Sequence, residues 1–212
     1  MLFRSIGSLP LAILAGYFLA RRSVPGKWLL DGLINLPLVM PPVVTGYLLL
    51  ILFSPRGPIG GWLHRNFDWQ IVFTWQAAAL ASAVVSFPLM VRAIRLAIEG
   101  IDPRLEMVGE SLGASKVDTF FSITLPLSRR GILAGCVLGF ARGLGEFGAT
   151  MMVAGNIVGE TQTIPVAIYS LAQRPGTESQ VGRLVVLSIA LATVALVSSE
   201  WLERRRTSRE ST

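Results

Sequence analysis

The sequence predicts an all-α integral membrane protein with about five transmembrane helices, six if one short external segment also crosses, and a two-helix loop on the cytoplasmic side. Three observations predict it. Of 212 residues, 52% are apolar and 15% charged, against roughly 45–50% and 25% in an ordinary soluble domain. The apolar residues gather into stretches close to the roughly 20 residues that a hydrocarbon core requires. Lys and Arg flank those stretches instead of clustering on a polar face. The net charge of +6 and the pI near 10.4 therefore read as membrane topology and not as a nucleic-acid footprint. A mean hydropathy of +0.59 excludes a disordered tail, and the lone Cys136 excludes an intrachain disulfide. The whole of 1–212 reads as one transmembrane domain, with a cytoplasmic loop at 92–130 and an external loop at 154–181.

The first span, 5–20, carries Arg4 and is short; it either begins in the interface or belongs to a shortened chain. A cleaved leader is the rival reading, opposed by Arg21 and Arg22 standing where a small-residue cleavage site belongs. The second span, 33–53, contains Pro37, Pro41 and Pro42. Each proline removes a helix N–H, and freed carbonyls at membrane depth need protein or a wet cavity beside them. This helix is therefore expected in the interior, with Asn35 and Thr45 as polar groups for the cavity; a kink that only shapes packing is the alternative. The third span is 70–91. The fourth, 131–153, carries Gly131, Gly135, Gly139 and Gly143 at intervals of four, a ridge that admits another helix closely, from this subunit or a second one. Beyond the ridge, Arg142 and Glu146 stand one turn apart. Either they brace one another, or Arg142 lends positive potential to an anion route that Glu146 restrains. The fifth span is 182–202. Before it, Ile164 to Leu171 is too short to cross and is expected as a short helix on the external surface.

The loops around 21–27, 92–130 and 204–209 hold thirteen Lys and Arg, against five in the alternate loops, which sets the N-terminus outside and the C-terminus in the cytoplasm. Trp28, Trp62, Trp69, Trp75 and Trp201 all fall near span ends, as an interfacial belt requires.

The loop 92–130 holds the most information. Asp102 followed by Pro103 is a helix start, Leu105, Val108 and Leu112 share a face, and Gly113 is a left-handed stop. Ser115 with Asp118 fits a capping box for a second short helix, with Val117, Phe120 and Phe121 as its apolar face and Pro126 as its end. Two short amphipathic helices around a glycine form a knob for another protein's groove, or a pair lying on the bilayer.

The spacing Glu106, Gly113, nine residues, then Ile123-Thr124-Leu125-Pro126 resembles the E-A-A…G-x(9)-I-x-L-P loop of ABC importer permeases. The resemblance covers nearly the whole chain and sharpens toward molybdate permeases and their sulfate-transporting relatives. It is carried by Val24-Pro25-Gly26-Lys27, Leu36 to Val44, Ser86 to Arg92, Gly145 to Thr150 and Gly159-Glu160-Thr161. It implies a MetI-like permease fold in the cell (inner) membrane, a homodimer, two copies of a cytoplasmic ABC ATPase subunit and an external oxyanion-binding protein. The ATPase would dock on Glu106, Gly113, Ala114, Ser115, Phe120, Ile123, Leu125 and Pro126. The translocation path would involve Asn35, Pro37, Pro41, Pro42, Thr45, Arg142, Glu146 and Thr150.

No G-x-x-x-x-G-K-[ST] occurs, so ATP and Mg are expected on the partner and no cofactor in this chain. His64, the sole histidine, is expected at the surface, and no metal-ligand spacing or catalytic set is present. The chain is thus expected not to be an enzyme. Two classes of function remain. One is the permease subunit of an ATP-driven importer of a tetrahedral oxyanion: molybdate first, sulfate or tungstate as alternatives. The other is a self-sufficient anion channel or secondary carrier, which would have no use for the 102–126 knob.

Overall fold

The computed structural model describes residues 2–22 and 25–207, and side chains within 7–22 and 25–197. Val24, the side chains of Arg4, Trp201 and Arg204 to Arg206, and the whole of Arg209 lie outside them.

A long helix organises the rest. It is the fifth in chain order, α5 (Trp75–Glu99), and it buries Ala77, Ala81, Val85, Met90, Ile94 and Ile98 along its length. α1 (Leu2–Arg21) packs on the C-terminal half of α5 through Ala12 and Leu19, and at Gly16 a Cβ would lie 2.9 Å from Ile94 Cγ2. α8 (Leu125–Leu144) lies along another side of α5, and its glycine ridge makes the contact. A Cβ on Gly131 would strike the Ala97 methyl, one on Gly135 would stand 3.2 Å from the Met90 carbonyl, and one on Gly139 2.6 Å from Met90 Cγ. The ridge therefore serves packing within one chain.

The second expected span is not one helix. α2 (Lys27–Val39) and α3 (Pro42–Phe53) meet at an angle of 112°. The cause is local: a residue before proline is pushed to extended backbone. Met40 precedes Pro41 and Pro41 precedes Pro42, so both are extended, at ψ 144° and 133°. Nor is α2 interior within this chain. None of its residues is buried, and Pro41 and Pro42 are exposed; α2 reaches the core that α1 and α5 share only through partly buried side chains such as Ile34.

The fourth expected span is also interrupted. α8 stops at Leu144, and α9 (Gly148–Ala154) begins after Gly145, Glu146 and Phe147. α9 and α3 pack backbone to backbone, since a Cβ on Gly46 would lie 2.7 Å from Ala149 Cα. They join the N-terminal half of α5 in a core of Leu49, Val72, Ala78, Val85 and Val153. The third span starts later than expected, at Trp75. Residues 54–74, between the second and third expected spans, include α4 (Pro58–Phe67). Pro58 opens it, and its glycines let it fold back on α3: a Cβ on Gly57 would meet the Ile51 carbonyl and one on Gly60 the Phe53 carbonyl. His64 is exposed there, its Nδ1 3.4 Å from Asp68 Oδ1.

α10 (Ile164–Ala172) occupies the expected short segment, and α11 (Glu178–Thr207) contains the last span. Among the described residues, three helices are long and apolar enough to cross a bilayer: α5, the continuous rod Lys116–Leu144, and α11 over 178–197. The bent α2–α3 pair would make a fourth. The described apolar part of α1, Gly7–Arg21, is shorter than the span length.

Candidate functional site

The loop between α5 and α8 forms as its residues dictate. Asp102 Oδ1 accepts the Arg104 N–H at 2.9 Å, and Pro103 begins α6 (Pro103–Ser111). Gly113, at φ +94°, reverses the chain. Ser115 and Asp118 make the full capping box of α7 (Lys116–Thr119): the Asp118 N–H donates to Ser115 Oγ, and the Ser115 N–H to Asp118 Oδ2, each at 3.2 Å. The Ser115 hydroxyl and N–H hold the Asp118 carboxyl below the usual carboxylate range. Pro126 does not end this second helix. The chain passes through a π-turn, Phe120–Thr124, directly into α8, whose first turn accommodates the missing proline N–H.

The loop presents an apolar surface that the rest of the chain leaves open. Leu112 is 84% exposed, Val117 64% and Phe121 61%, with Leu105 and Val108 exposed beside them. Gly113, Ser115 and Pro126 are exposed too, and Ala114 and Leu125 are half-buried. Three of the expected docking residues turn inward. Ile123 packs toward Gly109, where a Cβ would lie 3.0 Å from its Cδ1, so Gly109 is what lets α6 cross the π-turn. The Phe120 ring stands edge-on to Tyr17 of α1, centroids 4.9 Å apart. Glu106 Oε1 accepts from Arg21 Nε at 3.0 Å and from the Thr124 hydroxyl at 2.7 Å, while Arg21 Nη2 donates to the Ile101 carbonyl at 3.0 Å. In the sequence Arg21 is one of several charges flanking a span and Thr124 is the unspecified position of I-x-L-P, so neither signals this contact. A side-chain bond across about 85 residues leaves no local spacing to detect.

A second arrangement forms where the two broken spans meet. Gly148, first residue of α9, faces Pro42, first residue of α3; a Cβ there would lie 3.0 Å from Pro42 Cβ. Glu146 sits in the break, 2% exposed. Its Oε2 lies 2.9 Å from Arg142 Nη1, and its Oε1 accepts the Ala149 N–H at 2.8 Å. Thr150 is buried, its hydroxyl donating to the Phe147 carbonyl at 3.0 Å. The carboxylate thus satisfies an orphan donor of α9 and neutralises the guanidinium, whose side chain is 30% exposed. Thr45, on α3 beside Gly46, is 5% exposed, with a hydroxyl that finds no partner among the described residues.

Asn35 and Pro37 stand apart from this junction. Asn35 Nδ2 donates to the Asp31 carbonyl at 2.7 Å, and Asp31 pairs with Arg95 at 3.2 Å. Pro37 lines an apolar groove of about 360 Å³ with Leu11, Leu33 and Phe87. Among the described residues no three His, Cys, Asp or Glu side chains converge as metal ligands would.

Comparison with known proteins agrees with this architecture. Residues 8–208 match the family described as binding-protein-dependent transport system inner membrane component. The molybdenum transport system permease protein ModB of Haemophilus influenzae is 56% identical over 198 residues, covering 93% of this chain and 86% of that protein. ModB of Escherichia coli K12 is 55% identical over 197 residues, with the same coverage. The sulfate permease CysW of Synechocystis is more distant, 37% identical over 191 residues, covering 90% of this chain and 68% of that one. These relatives are transport permeases and not enzymes. Two solved ABC transporters share the fold. A bacterial alginate transporter in complex with a periplasmic protein has a TM-score of 0.71 at 19% identity, covering 97% of this chain and 76% of that chain. The inward-facing MetNI methionine transporter has a TM-score of 0.68 at 12% identity, covering 96% and 93%. All-helical, with a MetI-like ABC permease fold and apolar helices for an inner membrane, the chain belongs to the binding-protein-dependent transport system inner membrane components.

Proposed function

We propose that this chain is the membrane-spanning subunit of an ATP-driven importer of a tetrahedral oxyanion, and that the oxyanion is molybdate. The observation that carries the reading is the apolar face of Leu105, Val108, Leu112, Val117 and Phe121, which the chain builds on capped helices and leaves uncovered. A self-sufficient channel has no use for such a face. An ATPase subunit that binds ATP and Mg does, because a groove on it can seat the knob. Identity to ModB proteins across 93% of the chain favours molybdate over sulfate and tungstate.

In this reading 1–212 is one permease domain that pairs with a second copy, takes the ion from an external binding protein and keeps its C-terminus in the cytoplasm. Nucleotide-driven closure of the ATPase pair moves residues 102–126, and the attached spans switch between inward-open and outward-open arrangements. Pro41, Pro42, Thr45, Arg142, Glu146 and Thr150 border the path where the two helix breaks meet, with Asn35 and Pro37 on the α2 limb. Glu146 offsets the charge of Arg142 so that the dianion is not held permanently.

The test is ATP-dependent uptake of labelled molybdate into vesicles holding the complex, with sulfate and tungstate as competitors. Molybdate uptake that requires ATP is the expected result; sulfate uptake without molybdate uptake would overturn the substrate. Replacing Gly113 by valine forces a β-branched residue to φ +94°. It should abolish co-purification of the ATPase subunit while leaving the chain in the membrane.

A further inference from the structure

We infer that Arg21, Glu106 and Thr124 form an internal latch that ties the end of α1 to the coupling knob, so that Glu106 is a positioning residue and not a docking contact. The inference rests on the reading that an ATPase subunit moves the knob. A carboxylate meant for a partner protein would stand free. Glu106 is instead 15% exposed at its side chain, and one of its oxygens already accepts from the Arg21 guanidinium and the Thr124 hydroxyl. Thr124 is fully buried and Arg21 is 13% exposed, so neither donor finds a substitute in water. The second arm of Arg21 holds the Ile101 carbonyl in the turn after α5, and Tyr17 against Phe120 adds an aromatic contact one turn away.

The end of α1 and the π-turn close on the carboxylate of α6, and Arg21 carries the link on to the turn at Ile101. α5 and α8 join the knob through the backbone and follow it in any case. α1 has no such connection, and the latch supplies one. Because α1 also packs on α5 through Ala12, Gly16 and Leu19, a displaced knob carries α1 and α5 as one body.

The experiment uses the complete transporter in vesicles and reads three quantities: retention of the ATPase subunit, labelled molybdate imported per ATP hydrolysed, and amide exchange. Arg21→Ala and Glu106→Gln should each retain the ATPase subunit, yet import about tenfold less molybdate per ATP, the worth of one charged hydrogen bond. Thr124→Val should act in the same direction and Thr124→Ser should match the parent. The charge swap Arg21→Glu with Glu106→Arg should recover most of the loss. In exchange, Arg21→Ala should lower protection of both Phe18–Arg22 and Thr119–Leu125. Loss of the ATPase subunit by Glu106→Gln with normal import by Arg21→Ala would overturn the latch and make Glu106 a docking contact. Exchange changes confined to the substituted element would overturn it even if the variants insert poorly. Failure of the function itself looks different: the unaltered chain would retain no ATPase and import no oxyanion, while the paired exchange changes would still report the latch.

Discussion

Glu146 shows how one side chain can settle several local conflicts. Gly145 and Gly148 weaken the helix on either side, the chain leaves helical geometry at Phe147 (φ −120°), and α9 restarts with unpaired N–H groups. The carboxylate accepts one of them at 2.8 Å and pairs with Arg142 at 2.9 Å. Glu146→Gln keeps an acceptor for Ala149 but leaves the guanidinium without its counter-charge. The expected cost is about 1–3 kcal/mol, below that of a fully buried pair because Arg142 is partly exposed. Thermal melting of the solubilised protein should show it, and Arg142→Gln added to Glu146→Gln should recover more than half. Uptake should fall more than the amount inserted in the membrane; equal loss of both would assign the pair to bracing alone. The i, i+4 spacing of these residues was legible in the sequence. The break between them was not, because a run of small and apolar residues reads as one helix until the cap is seen.

At the scale of elements, the coupling loop was the most legible part of the chain. Asp102, Gly113, Ser115 and Asp118 act through neighbours two to four residues away, so their consequences follow from sequence alone. Asp118 titrates below its value in the unfolded chain, so its contribution to the cap is present above the ordinary carboxylate range and fades as pH falls through the lowered value. Amide protection of the first turn of α7, corrected for intrinsic rates, should therefore decline below about pH 4. Ser115→Ala should lose that protection already at neutral pH, by roughly the tenfold expected of a lost cap. Pro126 opens a helix where the sequence suggests that it closes one, for a physical reason. A proline signals either the end of one helix or the first turn of the next, and here a π-turn lets α7 run on into α8 without a gap.

On the scale of the whole molecule, two packed regions share α5. One joins its C-terminal half to α1 and the lower ridge of α8; the other joins its N-terminal half to α3 and α9. Close approach depends on where each glycine meets its neighbour. Gly131→Ala sets a methyl against the Ala97 methyl and should destabilise by about 1–3 kcal/mol. Gly143→Ala meets only Ser82 Cβ at 3.7 Å, an ordinary contact, and should stabilise by about 0.5–1 kcal/mol through lower backbone entropy. Melting temperatures of the two variants should move in opposite directions. Had the ridge faced a second subunit, both would instead change the monomer–dimer balance.

The class of the protein can be read from its residues alone: helices of bilayer length, basic loops between them, a capped two-helix knob and a permease pattern along nearly all of the chain. These follow from composition, periodicity and spacings of a few residues, which the backbone translates directly into local geometry. It took the packed bundle to show that two spans break and touch at Pro42 and Gly148, that the glycine ridge packs on α5, and that Glu106 faces Arg21. Each of these pairs residues far apart in the chain, and their meeting is set by the shape of the whole bundle, which no local spacing encodes.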